Sequence, residues 1–419
     1  MFDKGNLVYM KKFYLTLTLS AMVFILSSCG SIPSQSNASS SAPAGDSAPS
    51  GSVSSDLDEK DLSKAEQLLK NMTLKEKVGQ LLFVRPEALC PNFSPEQINA
   101  SQKYGVTEFS PQMAETLEKY PVGGIALFGK NVRSPSQLTG LIHQMQQNSE
   151  IPLFIGTDEE GGRVSRIANS QGFDVPKFKS MQAVGSGKDP EDARKAGLAI
   201  GSYLKKYGLN LDFAPVADVN TNPDNIVIGD RSFGKEPNLV SKMAAAELEG
   251  LHQAGMMGCI KHFPGHGDTK GDTHNGFVSI EKSWDELKAC ELIPFEAGIA
   301  AQTDMVMISH ITAAKITGDQ LPASLSREMM EGKLRKELHY PGVIITDSMS
   351  MGAITDRYSS GDAAVLAISA GADIVLMPEN LAEAFDRICA AVDGGQLSEA
   401  RIDQSILRIL SLKEKYGLL

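Results

Sequence analysis

Gly258-Cys259-Ile260-Lys261-His262-Phe263-Pro264-Gly265-His266-Gly267-Asp268 opens as a short apolar run and closes in ionisable residues, Pro and Gly. The length and flanks predict a buried strand running into a loop. Seven other runs have the same build. They are Gln80–Val84, Gly124–Phe128, Leu153–Gly156, Leu211–Pro215, Met305–Ser309, Val343–Thr346 and Asp373–Met377. Amphipathic stretches separate them and predict helices over Ser136–Asn148, Pro190–Tyr207, Leu239–Ala254, Trp284–Ala301, Arg327–Leu338, Gly361–Ala370 and Ser398–Tyr416. Thr73 and Glu76 have the spacing of a capping box opening a helix before the first strand. Eight β-then-α units predict an α/β fold of the (β/α)8 TIM-type, one catalytic barrel over residues 57–419. A doubly wound open sheet is the alternative, because it also alternates strand and helix.

A barrel of this kind carries its chemistry just after the strand ends. Those positions hold Thr157-Asp158-Glu159-Glu160-Gly161-Gly162-Arg163, Ala217-Asp218, the Lys261–Asp268 stretch, Ser309-His310 and Thr346-Asp347-Ser348. The strand starts carry mainly Gly, Pro and Val. Parallel strands would therefore gather the ionisable residues on one rim.

Carboxylates about a barrel mouth suit glycoside hydrolysis, where one group attends the anomeric carbon and another protonates the leaving oxygen. Asp347 ends an apolar strand and must face either a pocket or nearby donors. Its plainer reading is an N-cap for the helix that follows. Three of the seven histidines, His262, His266 and His274, fall within one short segment. Pro264 and Gly265 between the first two argue against a zinc-binding helix, and no HExxH pattern is present, so no metal is expected. Asp272 and His274 bracket one residue, so in extended chain their side chains point the same way. A carboxylate on one imidazole nitrogen fixes the tautomer and raises the basicity of the other, giving a group that donates and then accepts a proton. Gly265, Gly267 and Gly271 would let the loop move toward a substrate. Arg166, Arg231 and Lys261 could bind sugar hydroxyls, a carboxylate or a phosphate. Ion pairing with Asp158, Asp218 or Asp230 is the structural alternative for each.

The N-terminus has a separate logic. Lys11 and Lys12 precede an apolar run from Phe13 to Leu26, too short for an ordinary spanning helix and built like a secretory signal. Leu26-Ser27-Ser28-Cys29-Gly30 resembles the lipobox of bacterial lipoproteins. Residues 1–28 are thus expected to be a signal peptide, with Cys29 lipidated. The protein would be extracytoplasmic, held on the cell membrane by that anchor alone. An ordinary signal with an incidental Cys is the alternative, and Met10 also resembles a start. Cys29 with the Ser, Ala, Pro and Gly that follow, residues 29–56, reads as a flexible tether or a glycosylated stalk.

The 419 residues carry a formal charge of −11, and about −13 without the signal. This balance argues against nucleic acid, which needs a basic face. No obligate protein partner is evident. Cys90, Cys259, Cys290 and Cys389 lack CxxC spacing, and Cys259 and Cys389 are expected to be buried thiols.

From about Leu74 to Leu419 the chain resembles glycoside hydrolase family 3, in its bacterial β-N-acetylglucosaminidase (β-hexosaminidase) branch. The stretches that carry the likeness are Thr157–Arg166, Leu211–Asp218, Val227–Gly234, Lys261–His274 and Ile345–Ile354, in that order. The resemblance implies Asp347 as a nucleophile forming a covalent glycosyl–enzyme. It implies His274 as acid/base with Asp272 as dyad partner, and Asp158, Arg166, Arg231, Lys261 and His262 as sugar-binding residues. It implies net retention and no cofactor. Thr273 departs from the Ser usual in the branch. No second domain is expected after the last helix, so a loop His in cis would be expected to serve as acid/base.

The expected activity is removal of terminal β-linked GlcNAc from cell-wall (muropeptide) or chitin-type oligosaccharides. A His acid/base repels phosphate less than a carboxylate would, so a phosphorolytic N-acetylglucosaminide transferase is a second reading. A non-catalytic, lipid-anchored sugar-binding protein is a third. The insertion Leu89–Lys119, irregular over Pro91–Gln112, is expected near the rim.

Overall fold

The computed structural model describes residues 62–273 and 276–419. The signal segment, Cys29, the whole tether to Asp56, the first residues of the catalytic unit up to 61, and His274 lie outside the described residues. Eight parallel strands form the centre. They are β1 (Leu82–Val84), β2 (Gly124–Leu127), β3 (Phe154–Thr157), β4 (Leu211–Asp212), β5 (Met257–Phe263), β6 (Met305–Ile308), β7 (Val343–Thr346) and β8 (Val375–Leu376). All eight runs expected from the sequence are strands.

Each strand from β1 to β7 pairs with its successor or predecessor in the chain, and β8 pairs with β1. A parallel bridge between Ile345 and Ile374 joins β7 to the approach of β8 and brings the ring round. A doubly wound sheet would keep two free edges and reverse its strand order. This sheet does neither, so the chain is a (β/α)8 barrel.

The barrel strands are buried along their length because helices cover the outside and side chains fill the inside. Phe83 on β1 and Phe213 after β4 meet edge-to-face at 5.5 Å. A side chain at Gly124 would come within 2.5 Å of the Phe83 ring, so the glycine makes room for it.

The helix before β1 runs Leu74–Gln80, and its capping box is formed: the Thr73 side chain accepts from Glu76 N–H, and Glu76 accepts from Thr73 N–H. Two helix expectations need correction. Trp284–Ala301 is two helices, Trp284–Lys288 and Ile293–Ala300, because Pro294 starts a new first turn and cannot continue an old one. Arg327–Leu338 is a π-helix over Glu328–Glu337, where Leu338 N–H reaches Lys333 O five residues back. Arg335 on that helix ion-pairs with buried Asp373 and donates to Tyr340 O.

The insertion after β1 is less irregular than its composition suggested. It contains helices Pro95–Asn99 and Pro111–Lys119, capped by Ser94 and Ser110. Cys259 is buried as expected, but Cys389 is only half-buried on the outer helix Leu381–Asp393, and the four described cysteines are free thiols. No helix among the described residues is long and apolar enough to cross a membrane.

Candidate active site

β3 delivers three consecutive acids whose fates differ. After Thr157 the chain enters a hairpin, Glu159–Gly161 against Val164–Ser165. In extended chain alternate residues face opposite ways. Asp158 and Glu160 accordingly line a cavity of about 420 Å³ at the C-terminal rim. Glu159 turns inward and accepts from the backbone N–H of Arg166, Ile167 and Ala168 and from Tyr203 Oη, at 2.6–2.8 Å. That bracing brings Arg166 back over Asp158.

Asp158 takes Lys261 Nζ at 2.7 Å and Arg166 Nη2 at 3.0 Å. Burial alone would raise its carboxyl, but Lys261 and Arg166 outweigh it and hold it well below the usual range. Glu160 takes Arg231 in a bidentate fork at 2.7 and 2.8 Å and Lys261 Nζ at 2.5 Å. Burial pushes it up, yet Arg231 and Lys261 bring it down to about 2. The two carboxylates and three cations are therefore charged and mutually fixed, with bonding capacity turned to the cavity.

Arg231 sits in the turn Gly229–Arg231. Arg163 braces that turn by donating to the carbonyls of Ile226, Val227 and Ile228 and pairing with Asp230 at 3.1 Å. The structural alternatives for the cations thus resolve individually. Arg166 pairs with Asp158, as weighed; Arg231 pairs with Glu160 and not Asp230, which belongs to Arg163.

Lys261 and His262 are neighbours on β5, and a regular strand would point them to opposite faces. The pairing of β5 with β6 shifts by one residue between Ile260 and Phe263, a bulge that lets both line the cavity. His262 Nδ1 lies 2.6 Å from Asp218 Oδ2, and its Nε2 lies 3.3 Å from Arg231 Nη2. Since the guanidinium only donates, His262 accepts at Nε2 and donates from Nδ1. Burial would raise Asp218, but His262 and His266 lower it below the ordinary range.

Asp347 follows β7, with its N–H on Ile308 O at 2.8 Å and its Oδ1 accepting from Ser348 N–H at 2.7 Å. It lines the same cavity, opposite the β3–β5 cluster around the ring. The N-cap reading fails, because the next helix starts at Gly352 with Met351 as its N-cap. His310, after β6, donates or accepts at Ser324 Oγ (2.7 Å) and donates from Nε2 to Ser348 O (2.8 Å), bracing the backbone beside Asp347.

The loop after β5 is pinned in its first half. Asn225 Nδ2 donates to His266 O, and Asn222 Nδ2 to Thr269 O. A side chain at Gly267 would strike Val219 O at 1.9 Å, so this glycine serves close packing. Thr273 lines the cavity and Asp272 precedes it, while the geometry of His274 lies outside the described residues. Among the described residues no group of three or more His, Cys, Asp or Glu is placed to hold a metal ion.

Asp158, Arg166, Arg231, Lys261, His262 and Asp347 thus line one cavity. Glu160 and His266 also line it, and the sequence assigns neither a sugar-binding or catalytic role. Asp218 was foreseen as an acid at the rim, but its partner is His262, not an arginine.

A parallel barrel with the ionisable residues of several strand ends facing one open cavity defines a (β/α)8-barrel enzyme. The chain belongs to glycosyl hydrolase family 3: residues 73–412 match the family's N-terminal domain. It is 32% identical over 369 residues to beta-hexosaminidase A of Pseudoalteromonas piscicida, covering 82% of this chain and 61% of that protein. It is 34% identical over 302 residues to beta-hexosaminidase LpqI of Mycobacterium tuberculosis, covering 70% of this chain and 76% of that one. Among solved structures, a family 3 beta-N-acetylglucosaminidase from Paenibacillus sp. str. FPU-7 superimposes with a TM-score of 0.75 at 37% identity. That match covers 83% of this chain and 63% of the other. The chain therefore spans less than two thirds of some of its relatives.

Proposed function

We propose that this chain is a retaining exo-β-N-acetylglucosaminidase that removes terminal β-linked GlcNAc from cell-wall or chitin-type oligosaccharides. The observation that carries the reading is Asp347, at the end of β7, facing the same cavity as the paired cluster Asp158, Glu160, Lys261, Arg231 and His262. Relatives named beta-hexosaminidase and beta-N-acetylglucosaminidase support the choice of sugar. The cluster would hold the hydroxyls of the terminal sugar, with Arg166 fixed on Asp158.

In the first step the Asp347 carboxylate attacks the anomeric carbon. His274, oriented by Asp272, gives its proton to the departing oxygen. In the second, water attacks the glycosyl–enzyme ester bond at that carbon and His274 takes its proton, releasing Asp347 and leaving net retention. Residues 1–28 would be a signal peptide, Cys29 a lipid anchor, 29–56 a tether and 57–419 the catalytic unit, at the outer face of the membrane.

The test is hydrolysis of aryl β-GlcNAc and β-glucose glycosides. GlcNAc should be strongly preferred, and Asp347→Ala should lose at least about a thousandfold. His274→Ala should lose most with poor leaving groups, which need the proton, and least with good ones. Full activity in Asp347→Ala overturns the assignment. GlcNAc-1-phosphate among the products at high phosphate would replace hydrolysis with phosphorolysis.

A further inference from the structure

The loop that follows β5 leaves the strand at Phe263 and returns as the short strand Val278–Ser279, which pairs in parallel with Ile311–Thr312 after β6. Its two feet stand on different walls. The outgoing foot is tied to the loop after β4, where Thr221 Oγ1 donates to Asp268 Oδ1 at 2.8 Å and Asn222 Nδ2 to Thr269 O at 2.9 Å. The returning foot is tied to the segment after β6, where Ile280 N–H donates to Thr312 O at 2.9 Å and Lys315 Nζ to Glu281 O at 2.7 Å. Asp272 and Thr273 lie between the feet.

Lys282 joins the two feet. Its Nζ lies 3.0 Å from Asp268 Oδ2 across the neck of the loop, and the same ammonium pairs with Glu291. Glu291 is buried, its Oε1 accepts from Lys282, and its Oε2 has no hydrogen-bond partner among the described residues. Gly265 makes the approach possible: its φ is 124°, and a Cβ there would fall 2.7 Å from Glu291 Cβ. Glu291 thus fixes the ammonium against the outgoing foot, and Asp268 closes the neck onto it. The Asp268–Lys282 pair is partly exposed, so it adds little to global stability. Its effect on geometry is larger, because a loop closed at its neck has fewer conformations than one left open there.

We propose that Lys282 is a positioning residue for the reaction: by clamping Asp268 against Glu291 it sets the span of residues 269–281 and so places the proton donor that this loop carries. The inference rests on the reading of His274, with Asp272, as acid/base. Lys282 does not line the cavity and acts only through the loop. Proton transfer is the step most sensitive to such placement, since the donor must come within hydrogen-bond reach of the leaving oxygen. A misplacement of about 1 Å costs about a hundredfold in rate. The β3–β5 cluster that faces the terminal sugar is held by ion pairs of its own and is spared.

The experiment uses aryl β-GlcNAc glycosides graded in the acidity of the leaving phenol. The readout is the slope of log kcat/KM against leaving-group pKa, which reports the first step and cancels general damage. Lys282→Met should lose about tenfold or more with phenol itself and little with dinitrophenol, which departs without a proton. Asp268→Asn opens the neck while leaving Lys282 on Glu291, so it should steepen the slope in the same way even if Lys282→Met folds poorly. Lys282→Arg should restore most of the wild-type slope. Equal losses for all leaving groups, or a wild-type slope in either folded variant, overturn the proposal. Hydrogen–deuterium exchange over residues 269–281 reads the same clamp without turnover: faster exchange in both variants supports it, and unchanged exchange overturns it. Inactivity of the wild type on every aryl GlcNAc glycoside would sink the proposed function alone, since exchange still decides whether Lys282 sets the loop.

Discussion

Asp218 Oδ2 sits 2.6 Å from His262 Nδ1, while its Oδ1 accepts from the backbone N–H of His266 at 2.6 Å and of His262 at 3.3 Å. One buried carboxylate thus sets the tautomer of a cavity-lining imidazole and the path of the backbone that carries it. Asp218→Asn keeps an acceptor on only one side. With its amide toward the ring, it would force the proton to Nε2, facing the donor Arg231. The loss of a charge-assisted bond is worth about 1.5–3 kcal/mol, so kcat/KM should fall roughly 10- to 100-fold, mainly through KM. A variant with the wild-type KM would show that His262 does not depend on Asp218.

Glu160 binds Lys261 and Arg231 together; without it Arg231 loses its carboxylate partner and Lys261 keeps only Asp158. Removing one partner from a buried ion cluster costs about 3–5 kcal/mol, so Glu160→Gln should lower the Tm and raise KM together. The pH dependence has a definite sign. The folded carboxyl titrates at about 2, below its ordinary 4.5. Its contribution is full above about 4.5 and is lost as the pH falls from there toward 2. The gap in Tm between wild type and Glu160→Gln should therefore narrow through that interval. A gap that stays constant with pH would remove Glu160 from the account of acid stability.

Much of this was legible in the sequence because the physics there is local. Each strand is a run of apolar residues bounded by turn formers, and the ionisable residues follow the runs at Asp158, Asp218, Lys261 and Asp347. What was illegible depended on direction and distance. Asp158, Glu159 and Glu160 are near-identical neighbours in the chain; only the hairpin decides that the middle one is buried under Tyr203 and the last one meets Arg231. The ion partners of Arg231 and Arg163 are exchanged relative to a reading by proximity in sequence, since Asp230 adjoins one and binds the other. The helix break before Pro294 was readable from the proline itself. The route of the insertion to the cavity was not, because it is set by Arg85, Glu87 and Lys130, contacts made across up to 44 residues.

Arg163 illustrates a residue that acts at one remove. It is about half exposed, yet it ties the carbonyls of Ile226, Val227 and Ile228 into the turn that presents Arg231. Its surface ion pair with Asp230 contributes little to stability. Arg163→Ala should leave the Tm within a few degrees but raise KM several-fold by loosening Arg231. Asp230→Asn, which spares the three carbonyl contacts, should have a much smaller effect. Equal effects of the two substitutions would assign the role to the ion pair instead.

Lys413 closes the opposite end of the barrel. Its Nζ donates to Gln80 Oε1 at 2.6 Å and Gly123 O at 3.2 Å, over the Phe154 ring. It has no carboxylate partner among the described residues, and burial lowers its ammonium from 10.5 to about 7. The unfolded chain therefore binds more protons than the folded one between these two values. Stability must rise with pH across that interval on this account, and fall as the pH drops back toward 7. Lys413→Met retains volume and removes the titration. Thermal melts of both proteins from pH 7 to 10 should show the wild type gaining on the variant as the pH rises. Parallel curves would mean that Lys413 stays charged in the fold, with its cost offset by the two acceptors and the ring.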